Sequence, residues 1–439
     1  MIGLRWKGTA VEKKSKKKVE GQGLNAQMLV PIVGLMAAVK GALLDWVING
    51  GLAVVAALLE QEREALCGPR YRHLPNRTAT RSGYAPAEAV LGGRRVSLKR
   101  PRVRDVDTGE ELALPSWEHL ANEDPLTARA VEQMLIGVST RKYKRSLETL
   151  PSAAEERGTS KSAVSRRFVA ATEQELTKHW SASLKGAALA VMMIDGLVCG
   201  EHTILVAIGI DEKGNKRVLG LTEGVTENAS ACTRLLTGLV ERGLDTSKSM
   251  LVVIDGGKAL AKSVRDVFGS RALVQRCQVH KKRNVLDHLP ENRRASVGAM
   301  LSTAYNCQDP QKASRMLKKI ARQLEHNHPG AAESLREGLD ETLTVKEAGL
   351  PERLERTLST TNPIENINGA VRRTTRNVRR WEGGKMVLRW VGAALTEAEK
   401  GFHRLKGHAG MPKLVAFLRA HDSRLDESNA PVASRARVA

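Results

Sequence analysis

At 439 residues the chain is long enough for two to four domains that each bury a core, and its lysine and arginine excess leaves a formal net charge of +22. Such an excess predicts attraction to a polyanion, nucleic acid before an acidic membrane surface, and says nothing about fold. Five scattered cysteines (Cys67, Cys199, Cys232, Cys277 and Cys307) without a CxxC pair argue against a disulfide framework and a four-cysteine zinc site.

Residues 1–24 carry the cluster Lys13, Lys14, Lys16, Lys17 and Lys18 without apolar periodicity and read as a basic disordered tail. Residues 25–66 read as a helical segment. Its apolar stretch, Ala26 to Leu59, is interrupted by Lys40 and Asp45, so no uncharged run reaches the roughly 18–20 residues that span a bilayer. With no membrane segment and no secretory signal, a cytoplasmic, nucleoid-associated protein is expected.

Residues 67–125 change grammar. Glu88 to Lys99 reads as two strands around Gly92-Gly93, and Arg94, Arg95, Lys99, Arg100, Arg102 and Arg104 interleave with Val96, Leu98 and Val103. One face of such a ribbon packs while the other either meets phosphate or is merely solvated, and Arg95, Lys99 and Arg102 are the candidate DNA contacts. Residues 126–182 turn helical, and the run from Glu155 to Phe168 looks like a helix-turn-helix with Gly158 at the corner and Ser160 as cap. Lys161, Ser162, Ser165 and Arg166 would then face a major groove; an ordinary helical hairpin is the alternative.

From residue 186 the period becomes that of a sheet. Ala188 to Ile194 is an apolar run ending in Asp195-Gly196, with strands expected over Thr203–Ile210 and Arg217–Leu221 around a polar turn at Asp211. A helix from about Ala229 to Arg242 leads to Met250–Ile254, again apolar and again ending in an acid, Asp255. Three strands, a helix and a further buried strand is the order of a ribonuclease-H-like domain, a mixed α/β fold. The expected core is 186–283 with 358–402, split by an all-helical insertion over 284–357; residues 403–439 read as a tail.

Asp195 and Asp255 end wholly apolar runs, which predicts two acids at neighbouring strand ends on one edge of a sheet. Asp-Gly after a strand is also the commonest turn signal, as Asp211 among its polar neighbours illustrates. Cutting or transferring a phosphodiester needs an activated oxygen and a neutralised leaving oxygen, and two Mg²⁺ ions about 3.5–4 Å apart on hard carboxylate ligands supply both. Thr361-Asn362-Pro363-Ile364-Glu365 opens a basic helix; with Asn362 as cap, Glu365 is either a capping-box residue or a third metal ligand. Arg372, Arg376 and Arg379, seven, eleven and fourteen residues on, would share its face and suit a phosphate backbone. Cys277-Gln-Val-His280 is half a zinc site with no second half, so Cys277 reads as a small buried hydrophobe and His280 as a hydrogen-bonded helix residue. Gly256-Gly257-Lys258 lacks the upstream glycine of a nucleotide loop.

Asp195-Gly196, Val253-Ile254-Asp255-Gly256, Arg276-Cys277-Gln278-Val279-His280 and Thr361 to Asn366, taken together and in this order, resemble the Mutator-type transposases of bacterial insertion sequences over roughly Cys67 to Phe402. The resemblance implies a ribonuclease-H-like catalytic core with a helical insertion before the last acid. It implies two Mg²⁺ ions, with Mn²⁺ able to substitute, on Asp195, Asp255 and Glu365 as the catalytic and metal-binding residues. It further implies double-stranded DNA partners, both inverted-repeat ends and target, and a homodimer on DNA. The alternatives are a noncatalytic repressor derived from a transposase, which would not need the three acids, and a simple hybrid hydrolase, which would need neither the insertion nor the basic N-terminal modules.

Overall fold

The computed structural model describes residues 50–72, 77–91, 94–122, 125–147, 156–226 and 228–429. The expected tail over 1–24 and most of the helical segment over 25–66 lie outside the described residues. The protein is a mixed α/β chain of two compact units, Met1–Glu123 with Leu147–Arg157, and Asp124–Ser146 with Gly158–Ala439.

In the smaller unit, residues 50–67 form helix α1. Strands β1 (Ala79–Leu91) and β2 (Arg94–Asp105) pair antiparallel from Leu91↔Arg94 to Ala79↔Asp105, longer than the sequence suggests, with a bulge between Arg81 and Tyr84. Short strands β3 (Glu111–Leu112) and, further on, β4 (Glu156–Arg157) both add to β2. Helix α2 spans Pro115–Asn122. Val103 of β2 packs onto Leu59, Cys67, Ala79 and Leu114, while its neighbour Arg104 points to the opposite face and is exposed.

The pairing of Arg157 with Arg95 corrects one expectation. The backbone just before Gly158 is committed to a sheet ladder, so Gly158, at φ +82°, joins a strand to a helix and the two helices of a helix-turn-helix do not flank it.

The larger unit begins with α3 (Pro125–Leu135) and α4 (Lys161–Ser181), the latter capped by Ser160, whose side chain accepts from the Ala163 amide. Residues 125–146 and 158–182, expected to form a module of their own, fall in this unit: Val164, Phe168, Thr172 and Leu176 are buried, and Leu176 joins the central core. Its sheet has β5 (Leu189–Cys199), β6 (His202–Asp211), β7 (Lys216–Glu223), β8 (Met250–Ile254) and β9 (Ala272–Arg276) in the order β7-β6-β5-β8-β9. The first three make an antiparallel meander, and β8 and β9 run parallel to β5.

Burial on both faces explains the unbroken apolar runs of β5 and β8. One face, with Met192, Ile194, Val252 and Ile254, is covered by α5 (Ala229–Glu241) and α6 (Lys258–Phe268). The other, with Val191, Met193, Leu251 and Val253, is covered by α13 (Asn362–Thr375), α14 (Gly384–Glu399) and α15 (Met411–Asn429). Between them come α7 (Gln278–Asp287), α8 (Glu291–Asn306), α9 (Pro310–Glu325), α10 (Pro329–Arg336), α11 (Thr344–Glu347) and α12 (Glu352–Leu358). This helical region has a core of its own from Val285 to Leu343, whereas Val345, Ala348, Leu350, Leu354 and Leu358 turn back to the sheet.

Residues 403–439 are not a tail throughout. Met411, Leu414, Val415 and Leu418 enter the sheet core, because α15 is amphipathic and has an uncovered stretch of sheet to fill. Among the described residues no helix is long and apolar enough to cross a membrane.

Candidate active site

Asp195 lies inside β5, not at its end as the sequence suggests, because β5 continues to Cys199 in its hairpin with β6. What ends there is the parallel ladder: Ile194 pairs with Ile254, the last residue of β8, so Asp195 and Asp255 follow a matched pair on adjacent strands. Neighbouring strands lie about 4.8 Å apart. Strand alternation then carries both acids to one face, that of Met193 and Val253, which α13 covers. Beyond Asp255 the chain turns at Gly256, whose φ of +117° few side chains tolerate, and the Gly257 amide donates to Asp255 Oδ1 at 3.1 Å.

Glu365 stands in the first turn of α13. The cap is Thr361, one residue earlier than expected, and the Thr361 hydroxyl donates to Glu365 Oε1 at 2.9 Å, so the Glu365 carboxylate faces a side chain where a capping box would have it face the cap amide. His280 Nε2 lies 3.5 Å from the same oxygen, and His280 Nδ1 lies 3.3 Å from Thr361 Oγ1. Cys277, fully buried at the start of α7, accepts from the Thr361 amide at 3.4 Å and has the Thr361 hydroxyl at 3.3 Å. Cys277 and His280 thus buttress Thr361, which holds Glu365. Burial pushes the Cys277 thiol up, but hydrogen bonds from His280 and Thr361 outweigh it and leave the thiol below its usual range. His280 is raised, chiefly by its bond to Cys277.

Asp195 is 8 % exposed, and its pKa is pushed up to about 6, first by burial and then by the charge of Asp255. Glu365 adds to the rise, while the Gly196 amide and His280 oppose it. Asn368 Nδ2 donates to Asp195 Oδ2 at 2.9 Å. Among the described residues no three His, Cys, Asp or Glu side chains stand close enough to close around a metal ion: the aspartates are neighbours, and Glu365 is drawn toward Thr361 and His280.

The expected arginine stripe is shorter than the spacing implies. Helix α13 ends at Thr375, Arg376 is its C-cap, and Arg379 lies beyond the helix, because the Val378 backbone amide turns back to Thr375 O and the Asn377 side-chain Nδ2 donates to Gly137 O. Arg372, Arg376 and Arg379 are all exposed, and Arg372 acts electrostatically on Cys199 at the end of β5.

On α4, Lys161, Ser162 and Arg166 are exposed and Ser165 is half-buried. On the ribbon, Arg102 donates to Glu111 through Nε at 2.9 Å and Nη2 at 2.7 Å, and Arg95 lies 3.7 Å from Glu88. Both arginines therefore have carboxylate partners. Lys99 is exposed.

Sequence reasoning assigned no role to Asn368 or Arg276. Asn368 had a signal, a lone amide among Ile364, Ile367 and Val371 on the buried face, three residues after Glu365. Arg276, 4 % exposed, donates to Gly256 O at 2.9 Å and to Glu337 at 2.8 Å, and also pairs with Glu341. It ties the helical region to the turn after Asp255, a link between distant segments that no local pattern announces.

The chain as a whole is similar to enzymes that move DNA. Residues 38–404 match the family model described as Transposase, Mutator family, and the chain belongs to that family. It is 29% identical over 366 residues to the transposase for insertion sequence element ISRM5 of Rhizobium meliloti, covering 82% of this chain and 89% of that one. It is 27% identical over 373 residues to the transposase for IS1081 of Mycobacterium tuberculosis (82% and 86%) and 26% identical over 355 residues to that for IS256 in transposon Tn4001 of Staphylococcus aureus (77% and 86%). Transposases bind DNA, cleave it and transfer its strands, and a chain of this family is an enzyme of that general class.

Proposed function

We propose that this protein is an active insertion-sequence transposase that binds the terminal inverted repeats of its own element and cuts and joins DNA through Asp195, Asp255 and Glu365. The observation that carries the reading is the register Ile194↔Ile254, which sets Asp195 and Asp255 side by side on the face covered by the helix bearing Glu365. The strand order β7-β6-β5-β8-β9 supports a ribonuclease-H-like core, with α8 to α12 as the insertion before its last acid.

The donor set fits Mg²⁺, or Mn²⁺ in its place. Three carboxylates offer hard oxygens, and among the described residues no lysine or arginine pairs with Asp195, so two neighbouring acids, one of them buried, carry repulsion that a divalent cation would relieve. Asp195 and Asp255 would hold the ions jointly, and Glu365, half-exposed in the first turn of its helix, would complete the site by leaving Thr361. Such ions lower the pKa of an attacking hydroxyl and neutralise the leaving oxygen. The protein's part is to fix the two aspartates on a rigid sheet and Glu365 on the helix that covers it, to exclude water from Asp195 by burial, and to seat backbone phosphates on Arg372 and Arg376, with Arg379 further along the chain. Duplex DNA, as element ends and as target, is the substrate; a homodimer on DNA is the working species, acting at the nucleoid.

Full-length protein incubated with labelled duplex carrying the element's ends, with Mg²⁺, Mn²⁺ or EDTA, tests this. Nicked and joined strands are expected only with metal. Products that ignore the metal, or full strand transfer by Asp255→Asn, would overturn the three-acid site, and DNA binding without any product would favour a repressor.

A further inference from the structure

Helix α13 packs on β5 through Ile364, Ile367 and Val371, and Asn368 interrupts that apolar stripe although it is 1 % exposed. Its Nδ2 donates to Asp195 Oδ2 at 2.9 Å, a buried bond between residues 173 positions apart. Its Oδ1 is buried and has no hydrogen-bond partner among the described residues. A half-satisfied buried amide costs desolvation free energy that an aliphatic side chain of similar size would avoid, so packing alone does not explain it. Turning the amide over would set its oxygen against a carboxylate oxygen, so the donor must face the acid.

The bond does two things. It fixes the rotation of the Asp195 carboxylate, and it registers α13 against β5 one helical turn from Glu365, so one side chain sets the first acid and the helix that carries the third.

We propose that Asn368 is a positioning residue for the acid site, holding Asp195 in its ligating orientation and α13 in register with it. This rests on the metal-site reading above. Losing such an outer partner typically weakens metal binding about 10- to 100-fold.

The test uses full-length wild-type protein, Asn368→Leu, Asn368→Ala and Asp195→Asn. Mn²⁺ binding is followed by the paramagnetic resonance of the free ion, DNA affinity by anisotropy in EDTA, and folding by thermal unfolding in EDTA. Expected are Mn²⁺ binding about 10- to 100-fold weaker in Asn368→Leu, DNA affinity unchanged, and a melting temperature no lower than that of wild type. In Asn368→Ala the loss is smaller, since water can reach Asp195 through the space left. The alanine variant carries the test if the leucine variant does not unfold cooperatively. Wild-type Mn²⁺ affinity in a folded Asn368 variant, alongside lost binding in Asp195→Asn, overturns the positioning role alone. Equal binding by wild type and Asp195→Asn overturns the three-acid site and this proposal with it.

Discussion

A carboxylate buried beside another carboxylate costs the fold something, and Asp195 is the residue where that cost concentrates. Its pKa is raised to about 6 from an ordinary 3.8, so folding penalises its ionised form. The penalty is fully present above about pH 6, shrinks as the folded state takes up the proton, and is gone below the unfolded value near 3.8. At about 1.4 kcal/mol per pKa unit, the metal-free protein carries roughly 2–3 kcal/mol of it at neutral pH. Asp195→Asn removes the charge and still offers an oxygen to Asn368. We therefore expect urea unfolding in EDTA at pH 8 to show this variant more stable than wild type by roughly 1–3 kcal/mol, with the gap narrowing at pH 5. The same variant should be inactive in strand transfer. Equal stability at pH 8 would mean that Asp195 is not under electrostatic load.

Helix α13 gathers the acid, the amide and the cations into fourteen residues. Its buried side meets the sheet, its first turn presents Glu365, and its last turn exposes Arg372 and Arg373 where the C-terminal end of the helix dipole favours positive charge. On the function proposed above, cations so placed would meet phosphates without reading bases. Arg372→Ala and Arg376→Ala are each expected to weaken DNA binding about equally for specific and unrelated sequences, and to lower the slope of log affinity against log salt by about one. Anisotropy titrations between 50 and 200 mM salt, on the order used for such slopes, measure both. An unchanged slope would remove that arginine from the interface.

For the larger unit as a whole, α15 closes the fold: besides its four core residues, its Asp422 accepts from the Ser249 amide at 2.9 Å, the Ser249 hydroxyl at 2.6 Å and Arg271 Nη1 at 2.7 Å, beside the starts of β8 and β9. Truncation after Lys406 would remove Met411, Leu414, Val415 and Leu418, whose burial is worth roughly 6–12 kcal/mol, comparable to the whole stability of a domain, and would uncover the sheet face they cover. Loss of the cooperative thermal transition, followed by circular dichroism, is expected. A truncated protein that melts as wild type would make the helix dispensable.

Local pattern alone determined the elements that carry the three acids and their order. The apolar runs ending in Asp195 and Asp255, the polar turn at Asp211 and the proline-started helix of Glu365 are written in neighbouring residues, because burial and backbone conformation leave their mark within a few positions. Only the tertiary structure decided that β8 lies against β5 and ends level with Ile194, that Arg157 joins a ladder, that Arg379 leaves the helix face and that α15 belongs to the core. It also decided that Asn368 reaches Asp195 and that Arg276 braces Gly256. Each of these is a pairing of segments far apart in the chain, fixed by which surfaces remain to be covered once the nearer ones are packed. A surface of that kind has no signature in the residues on either side of it.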